Sequence, residues 1–380
     1  MAHVHVCLIS GQPIPNLTTI VQLMPERVAL LVTTDMADRA AWLRGVIQAR
    51  GVEVEEKQIS PYDMNSVIVA CEEIQRAHSK EDLSLNITGG TKISTLGAFQ
   101  SFYTTKWPIY YVNTQDHSIM QINPGTTGTE APICASIPLA EYLAVHGFAI
   151  SDYQSDEGGP RLRQALTQMF VDAACSEATS NAIREINAKA PNPFARQYNP
   201  WMELPGQNYG REIIKKARAL GMVGRSRDRR VEIPRAEDAF FLKGGWLEEY
   251  VFLTAKALES CEVFRNVKGQ WATRRKPPRN EYDVLIGHGN QVFYISCKTS
   301  FPGEDEHTGS FRPYLYELDA LGDDLLGLFG KKMLASAIEI TDVAIRDRAE
   351  RLGVTIVDGQ GLRGLDRRLR EWVGKARKKV

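Results

Sequence analysis

The chain has no long apolar run and no paired cysteine motif. The first absence argues against a membrane protein, and the second argues against a disulfide-rich or zinc-binding protein. No hydrophobic stretch in the 380 residues approaches the roughly 20 residues that a membrane-spanning helix needs, so we expect no membrane partner. The six cysteines are scattered without a C-x-x-C pair, which favours reduced, mostly buried thiols over a disulfide framework or a zinc site. The first residues read as a strand without a basic leader, and these features together predict a cytoplasmic protein.

The formal net charge is zero, but the charge is unevenly distributed. Residues 1–150 carry 9 Lys and Arg against 14 Asp and Glu, and the remainder carries 37 against 32. Basic clusters are commonly just solvated faces, yet they also suit nucleic-acid phosphate. The basic runs are Arg225, Arg227, Arg229 and Arg230; Arg274, Arg275, Lys276 and Arg279; and Lys375, Arg377, Lys378 and Lys379.

Strand and helix patterns alternate through the first 113 residues. Fully apolar strands separated by helices indicate a parallel sheet covered on both faces, a Rossmann-like fold, in which ligands sit beyond the carboxyl ends of the strands. The strands are predicted at 4–10, 28–33, 53–59, 83–87 and 109–113, with helices at 18–23, 35–50, 63–78 and 91–103.

Two loops at that edge are candidate ligand loops. In the second, two glycines free the backbone to approach a ligand, and Lys92 at a helix start makes a ready anion site. The alternative is a plain turn capped by threonine, which leaves Lys92 unexplained. The second loop matches neither a Walker A nor a G-x-G-x-x-G motif, which disfavours ATP hydrolysis and dinucleotide chemistry. The candidate ligand residues are Ser10, Gly11, Gln12, Pro13 and Asn16 in the first loop and Thr88, Gly89, Gly90, Thr91 and Lys92 in the second.

Two short apolar runs around a Gly-Asn turn predict a β-hairpin over residues 280–299. A turn centred there places Asp283 opposite Ile295 or Ser296, and two-residue periodicity puts Ser296 and Lys298 on one face. A carboxylate suits a hard divalent cation, and a neighbouring ammonium can offset charge on a scissile phosphate. An isolated pair of this kind is more often merely solvated.

The hairpin, with a preceding helix that contains Glu248, resembles the PD-(D/E)xK nuclease core. In that core an Asp on one strand and an (E/Q/S)-x-K element on the next follow a helix with a Glu. The resemblance implies that Asp283 is a metal ligand, Lys298 the catalytic lysine and Glu248 the helix carboxylate, with Glu249 less favoured.

Ser296 occupies the position where an acid is commoner in that core. One potential ligand is therefore missing, and Glu248 or Glu281 is expected to complete a site for Mn²⁺ or Mg²⁺ beside Asp283. The resemblance makes Ser296 part of the catalytic element. Because Ser296 is not an acid, an enzyme with weakened catalysis remains an alternative.

The second ligand loop, Asn-Ile-Thr-Gly-Gly-Thr-Lys over residues 86–92, resembles that of CARF sensor domains, which bind cyclic oligoadenylates across a homodimer interface. With the nuclease core, the chain resembles the CARF nucleases of type III CRISPR systems over residues 1 to about 125 and about 240 to 380. The resemblance implies a homodimer, cyclic tetra-adenylate as activator, and DNA (single-stranded or supercoiled), RNA or both as substrate.

We therefore expect an α/β protein of three parts: a Rossmann-like CARF domain over 1–150, a helical linker over 151–239, and a restriction-endonuclease-like domain over 240–380. The linker is either a winged-helix-like insert or a plain helical spacer. The predicted function is a cyclic tetra-adenylate-activated, metal-dependent endonuclease in antiviral defence. The alternative is a ligand-responsive regulator that binds nucleic acid without cutting it. A metabolic Rossmann enzyme is the least favoured of the three.

Overall fold

The computed structural model describes residues 2–114, 116–123, 129–272, 279–300, 311–327 and 330–377. Arg274, Arg275, Lys276, Lys378 and Lys379 of the predicted basic runs lie outside these residues. The N-terminal elements are β1 (His3–Leu8), α1 (Ile14–Leu23), β2 (Arg27–Val32), α2 (Ala37–Ala49), β3 (Glu53–Gln58), α3 (Met64–Ala77), β4 (Asp82–Asn86), α4 (Lys92–Tyr103), β5 (Ile109–Asn113), β6 (Ser118–Gln121) and β7 (Thr129–Pro132).

These elements build a Rossmann-like sheet with the strand order β3-β2-β1-β4-β5-β6-β7. Strands β1 to β5 pair in parallel, which confirms the predicted fold of this part, and β6 and β7 extend the β5 edge as antiparallel strands. The central strands are almost wholly buried, as their continuous apolar sequences require. The carboxyl ends of β1 and β4 lie side by side and bring the two candidate ligand loops together.

The middle of the chain is a helical body with a small antiparallel sheet of order β10-β11-β9. Asp228 and Arg229 form the turn between β10 and β11 and have positive φ, and residues 225–230 are exposed. The elements are α5 (Leu139–Val145), β8 (Phe148–Gln154), α6 (Gly158–Leu162), α7 (Gln164–Ala174), α8 (Glu177–Lys189), β9 (Trp201–Glu203), α9 (Asn208–Ala219), β10 (Ser226–Arg227), β11 (Arg230–Glu232) and α10 (Ala236–Phe240).

The C-terminal part is a mixed sheet of order β16-β15-β14-β13-β12-β8. Strand β8 pairs with β12, so the boundary predicted at residue 150 falls within a strand of this sheet. The remaining elements are a π-helical turn (Phe241–Gly245), α11 (Trp246–Lys256), β12 (Glu262–Trp271), β13 (Arg279–His288), β14 (Gln291–Lys298), α12 (Arg312–Leu326), β15 (Lys331–Ser336), α13 (Val343–Arg351), β16 (Val354–Asp358) and α14 (Leu365–Arg377).

Buried apolar side chains connect the two sheets. One cluster contains Leu30 of β2, Tyr142 of α5, Phe148 of β8 and Tyr294 of β14. A second cluster joins the helical body to the other face of the C-terminal sheet, through residues such as Trp246. Within the described ranges, no helix is long and apolar enough to cross a membrane.

Candidate functional site

The β13–β14 hairpin holds Asp283 where its predicted register requires. His288 pairs with Gln291 and Val284 with Ile295, so the next position along the ladder brings Asp283 opposite Ser296. The Ser296 hydroxyl donates to Asp283 Oδ2 at 3.2 Å, and the Cys297 amide donates to the same oxygen at 2.7 Å. The serine therefore fixes the orientation of the aspartate instead of supplying a second carboxylate.

Glu248 reaches the same edge from the first turn of α11. The preceding turn contains Gly244 with φ 147°, and a Cβ at that position would collide with the Thr299 hydroxyl, so glycine allows the helix to begin close to the end of β14. Within the described part of the chain, Glu248 Oε2 is buried and has no hydrogen-bond partner. A buried, unpaired carboxylate oxygen calls for an explanation, and a role as a cation ligand is one.

The charges of Glu248 and Asp283 act on each other. Burial, followed by the negative charge of Asp283, raises the pKa of Glu248 well above its ordinary value. Burial also raises the pKa of Asp283, more than Lys298 and the hydrogen bonds from Cys297 and Ser296 lower it. Two neighbouring carboxylates that resist ionisation fit a divalent cation, because a hard cation takes oxygen ligands and cancels their repulsion.

Lys298 lies beside this pair and is held by helix α12. Its Nζ is 3.8 Å from Glu317 Oε2 and 4.7 Å from the centre of the Tyr314 ring. Burial lowers the pKa of Lys298, but the carboxylates of Asp283 and Glu317 outweigh burial, and the pKa is raised. The lysine is therefore an ammonium at neutral pH, and its position is fixed.

The other two candidate acids have partners of their own. Glu249 is buried and accepts hydrogen bonds from Arg163 Nε at 2.9 Å and Arg265 Nη1 at 3.2 Å, so it belongs to an internal ion network. Glu281 lies two residues before Asp283 on the same face of β13, is exposed, and is 3.6 Å from Lys268 Nζ. Across the ranges described, no three His, Cys, Asp or Glu side chains already form a metal cluster.

The sensor edge contains two cavities, which share Ser10 and Gly90. The first, of about 250 Å³, is bordered by Gln12, Thr88 and Gly89 among the predicted residues. The second, of about 270 Å³, is bordered by Gly11 and Thr91. Seven of the ten candidate ligand residues thus meet at this edge.

Pro13, Asn16 and Lys92 do not border either cavity. Asn16 is buried, donates from Nδ2 to the Leu8 carbonyl at 2.9 Å and accepts from Asn86 Nδ2 at 2.9 Å. It ties the first loop to the ends of β1 and β4. Pro13 precedes α1, and Lys92 is the exposed first residue of α4.

The Gly-Gly loop is held close to strand β1. A Cβ at Gly89 would collide with the Leu8 carbonyl oxygen. Thr88 Oγ1 donates to Asn86 Oδ1 at 2.6 Å and accepts from the Val112 amide at 2.8 Å. Thr91 caps α4 by accepting from the Ser94 amide at 3.1 Å. Thr88 and Thr91 therefore fix the loop, and a glycine at 89 lets it lie against β1.

Sequence reasoning missed several residues of these sites. Tyr314 and Glu317 lie three residues apart on helix α12, and this spacing is the sequence signal for two side chains on one helix face. Arg265 lies on a strand that was not predicted. Asn290 and Gln291, in the nuclease hairpin, border the first sensor cavity, and no local pattern indicates that.

Residues 4–142 match the family described as the Card1 CARF domain, and residues 235–376 match the Card1-like endonuclease domain. No curated protein sequence matches the chain significantly.

Among solved structures, protein VC1899 from Vibrio cholerae is 20% identical, with 98% of each chain covered and a TM-score of 0.84. Can2 from Sulfobacillus thermosulfidooxidans, in complex with cyclic tetra-adenylate, is 22% identical, with 97% of each chain covered and a TM-score of 0.78. A type III CRISPR defence DNA nuclease activated by cyclic oligoadenylate is 18% identical over 88% of this chain and 45% of that chain, with a TM-score of 0.55. These similarities show that the fold is shared.

Proposed function

We propose that this protein is a metal-dependent endonuclease activated by cyclic tetra-adenylate. It combines a Card1-type CARF domain with a Card1-like endonuclease domain and so belongs with the CARF nucleases of type III CRISPR systems. Its substrate is DNA, RNA or both. One observation carries the proposal: Asp283, Glu248 and Lys298 come from three elements and couple electrostatically at one edge of the endonuclease sheet.

In this proposal, Asp283 and Glu248 hold Mn²⁺ or Mg²⁺. A bound cation supplies Lewis-acid stabilisation of charge on the scissile phosphate. Lys298, kept charged and oriented by Glu317 and Tyr314, offsets further charge on the same phosphate. Ser296 positions Asp283 by its hydrogen bond, which supports cleavage more than the non-cutting alternative.

On the sensor side, the two cavities and the tight Gly-Gly loop form the proposed binding edge for cyclic tetra-adenylate. Lys92 lies at the N-terminus of α4, where the helix dipole and the ammonium both favour phosphate. The activator and the reacting phosphate occupy different parts of the chain, so the activator acts by shifting a conformational equilibrium and takes no part in the chemistry.

A homodimer is the second component of the proposal. Helix α4 exposes Ile93, Leu96 and Tyr103, large apolar side chains three to ten residues apart, beside the Gly-Gly loop. A two-fold axis at this face would give a symmetric ligand two equivalent half-sites.

The test uses labelled DNA and RNA with and without cyclic tetra-adenylate and Mn²⁺. We expect cleavage only when both are present, and a loss of at least about 100-fold in rate for Lys298→Ala. Lys298→Ala should still bind activator, as titration calorimetry would show. Full cleavage by this variant would exclude the proposed site, whereas activator binding by wild type without any cleavage would favour the regulator.

A further inference from the structure

The first sensor cavity has a wall that comes from the endonuclease domain. The turn of the β13–β14 hairpin borders it through Gly289, Asn290 and Gln291, and the end of α12 borders it through Leu326. The sensor domain contributes Gln12 and the Gly-Gly loop to the same lining. A ligand in this cavity would therefore touch both domains of one chain.

Side-chain hydrogen bonds hold the hairpin turn in that position. Asn290 Oδ1 accepts from the Ile137 amide at 2.9 Å, and its Nδ2 donates to the Ala135 carbonyl at 2.9 Å. Gln291 Nε2 lies 3.4 Å from His117 Nε2 of the β5–β6 turn. Asn290 thus anchors the turn through both ends of its carboxamide, and Gln291 lines the cavity beside His117.

The same two endonuclease elements hold Lys298 at their other ends. Strand β14 runs from Gln291 to Lys298, a span of about 23 Å at the rise of a β-strand. Helix α12 carries Tyr314 and Glu317 against Lys298 and ends at Leu326, whose carbonyl accepts from the Tyr142 hydroxyl at 2.9 Å. Strand β14 thus runs from the cavity to Lys298, and α12 runs from the cavity to the residues that contact Lys298.

We infer that the cavity takes one adenine base of the activator and that Gln291, from the endonuclease hairpin, is a ligand-binding residue. This inference rests on the proposed function. A volume of about 250 Å³ lies below the roughly 300–1,000 Å³ of sites that enclose a drug-sized ligand, and suits a single base or nucleoside. Ile14, Val112 and Ile133 provide apolar walls for the ring faces.

The lining also contains side chains whose chemistry suits adenine. A carboxamide pairs with adenine by accepting from N6 and donating to N7, and two glutamines line the cavity, Gln12 from the sensor domain and Gln291 from the endonuclease hairpin. Binding of the base then changes the contacts of the hairpin turn directly. The endonuclease domain reads the activator itself rather than only a movement of the sensor.

The test compares full-length wild type with Gln291→Ala and Gln291→Glu, titrated with cyclic tetra-adenylate by calorimetry at constant salt. We expect Gln291→Ala to weaken binding about five- to tenfold, because one net hydrogen bond per cavity is lost. Gln291→Glu keeps the shape and the acceptor but loses the donor, and should weaken binding at least as much. Gln270→Ala, an exposed glutamine on β12 of the same domain, is the matched control and should bind like wild type.

Equal affinity of wild type and both Gln291 variants would overturn the inference while leaving the proposed function intact. If wild type itself does not bind cyclic tetra-adenylate, the proposed function fails as well. Amide hydrogen exchange of wild type gives a readout that needs no variant. Activator should slow exchange in the hairpin turn at 287–292, and an unchanged turn alongside a protected Gly-Gly loop would also overturn the inference.

Discussion

Replacing Glu248 with Gln should make the metal-free protein more stable, although it removes a proposed metal ligand. Glu248 Oε2 is buried and, among the residues described, has no hydrogen-bond partner, and Asp283 repels its charge. An unsatisfied buried polar atom costs about 1–3 kcal/mol, and more when charged, and a neutral amide keeps part of that cost, so we expect a gain of roughly 1–2 kcal/mol near neutral pH. With an entropy of unfolding of about 2.1 cal/mol/K per residue, a chain of 380 residues shifts its thermal midpoint by about 1 °C per kcal/mol, so the midpoint should rise by about 1–3 °C.

The gain should depend on pH in a defined direction. The pKa of Glu248 is raised in the folded state and returns to its ordinary value of about 4.3 on unfolding. The folded state therefore binds the proton more tightly, and the free energy of unfolding of wild type falls as pH rises from about 4.3 to the raised pKa. The free energy of unfolding of Glu248→Gln does not fall in this way. The variant should therefore be no more stable than wild type near pH 4 and increasingly more stable as pH rises.

A divalent metal ion should raise the free energy of unfolding of wild type at high pH, where deprotonated Glu248 lowers it, because the ion binds deprotonated carboxylates. Mn²⁺ should stabilise wild type above that pH window and Glu248→Gln much less. Differential scanning calorimetry at pH 4, 6 and 8, with and without Mn²⁺, measures both effects.

Glu281→Gln is the control for the metal-free measurements, since an exposed substitution should change stability by no more than about 0.5 kcal/mol. A Glu248→Gln variant that is less stable than wild type at pH 8 and still gains full stability from Mn²⁺ would refute the reasoning. Loss of the Mn²⁺ effect in Glu281→Gln instead would assign the second ligand to Glu281.

Three further predictions concern surfaces away from the metal site. Lys92→Ala should weaken cyclic tetra-adenylate binding by about 1.5–3 kcal/mol, the worth of a hydrogen bond to a charged group, in titrations at fixed salt; an unchanged affinity would leave the Gly-Gly loop as a structural turn. Leu96→Glu should shift the protein from dimer to monomer in sedimentation experiments, because it places a charge on the exposed apolar face of α4; a stable dimer would exclude this face as the interface. Changing both Arg225 and Arg227, which are exposed at the β10–β11 hairpin, to Gln should lower nucleic-acid affinity and reduce the salt slope by about one per lost phosphate contact, whereas Arg76→Gln on α3 should bind as before.

Local pattern was sufficient to predict the sensor strands and the hairpin. Residues Val28 to Leu31 form an apolar run because β2 is buried on both faces, so the run and the strand coincide within one or two residues. The Gly-Asn turn predicted the pairing of β13 with β14 and placed Asp283 opposite Ile295 or Ser296, and the ladder selects Ser296. Both predictions depend only on neighbours along the chain.

Strand β12 could not be predicted in this way. It contains Arg265 and Lys268 among its apolar residues, which obscures the alternation expected of a strand. Arg265 is buried there because Glu249, on the helix before it, accepts its hydrogen bond. Likewise Asn290 is bonded to Ile137, 153 residues away in the chain, and only the tertiary fold shows that the hairpin turn borders the sensor cavity.

The packing between the two domains determines how far a change at the sensor can travel. Leu30 of β2, Tyr142 of α5 and Tyr294 of β14 belong to one buried cluster, so the sensor and the endonuclease sheet share a core. Packed side chains switch between discrete arrangements and do not deform continuously, so we expect a small shift at the hairpin turn to reach Lys298 along β14. A flexible tether would dissipate the same shift. Because such coupling is reciprocal, whatever factor the activator adds to nucleic-acid affinity, nucleic acid must add to activator affinity.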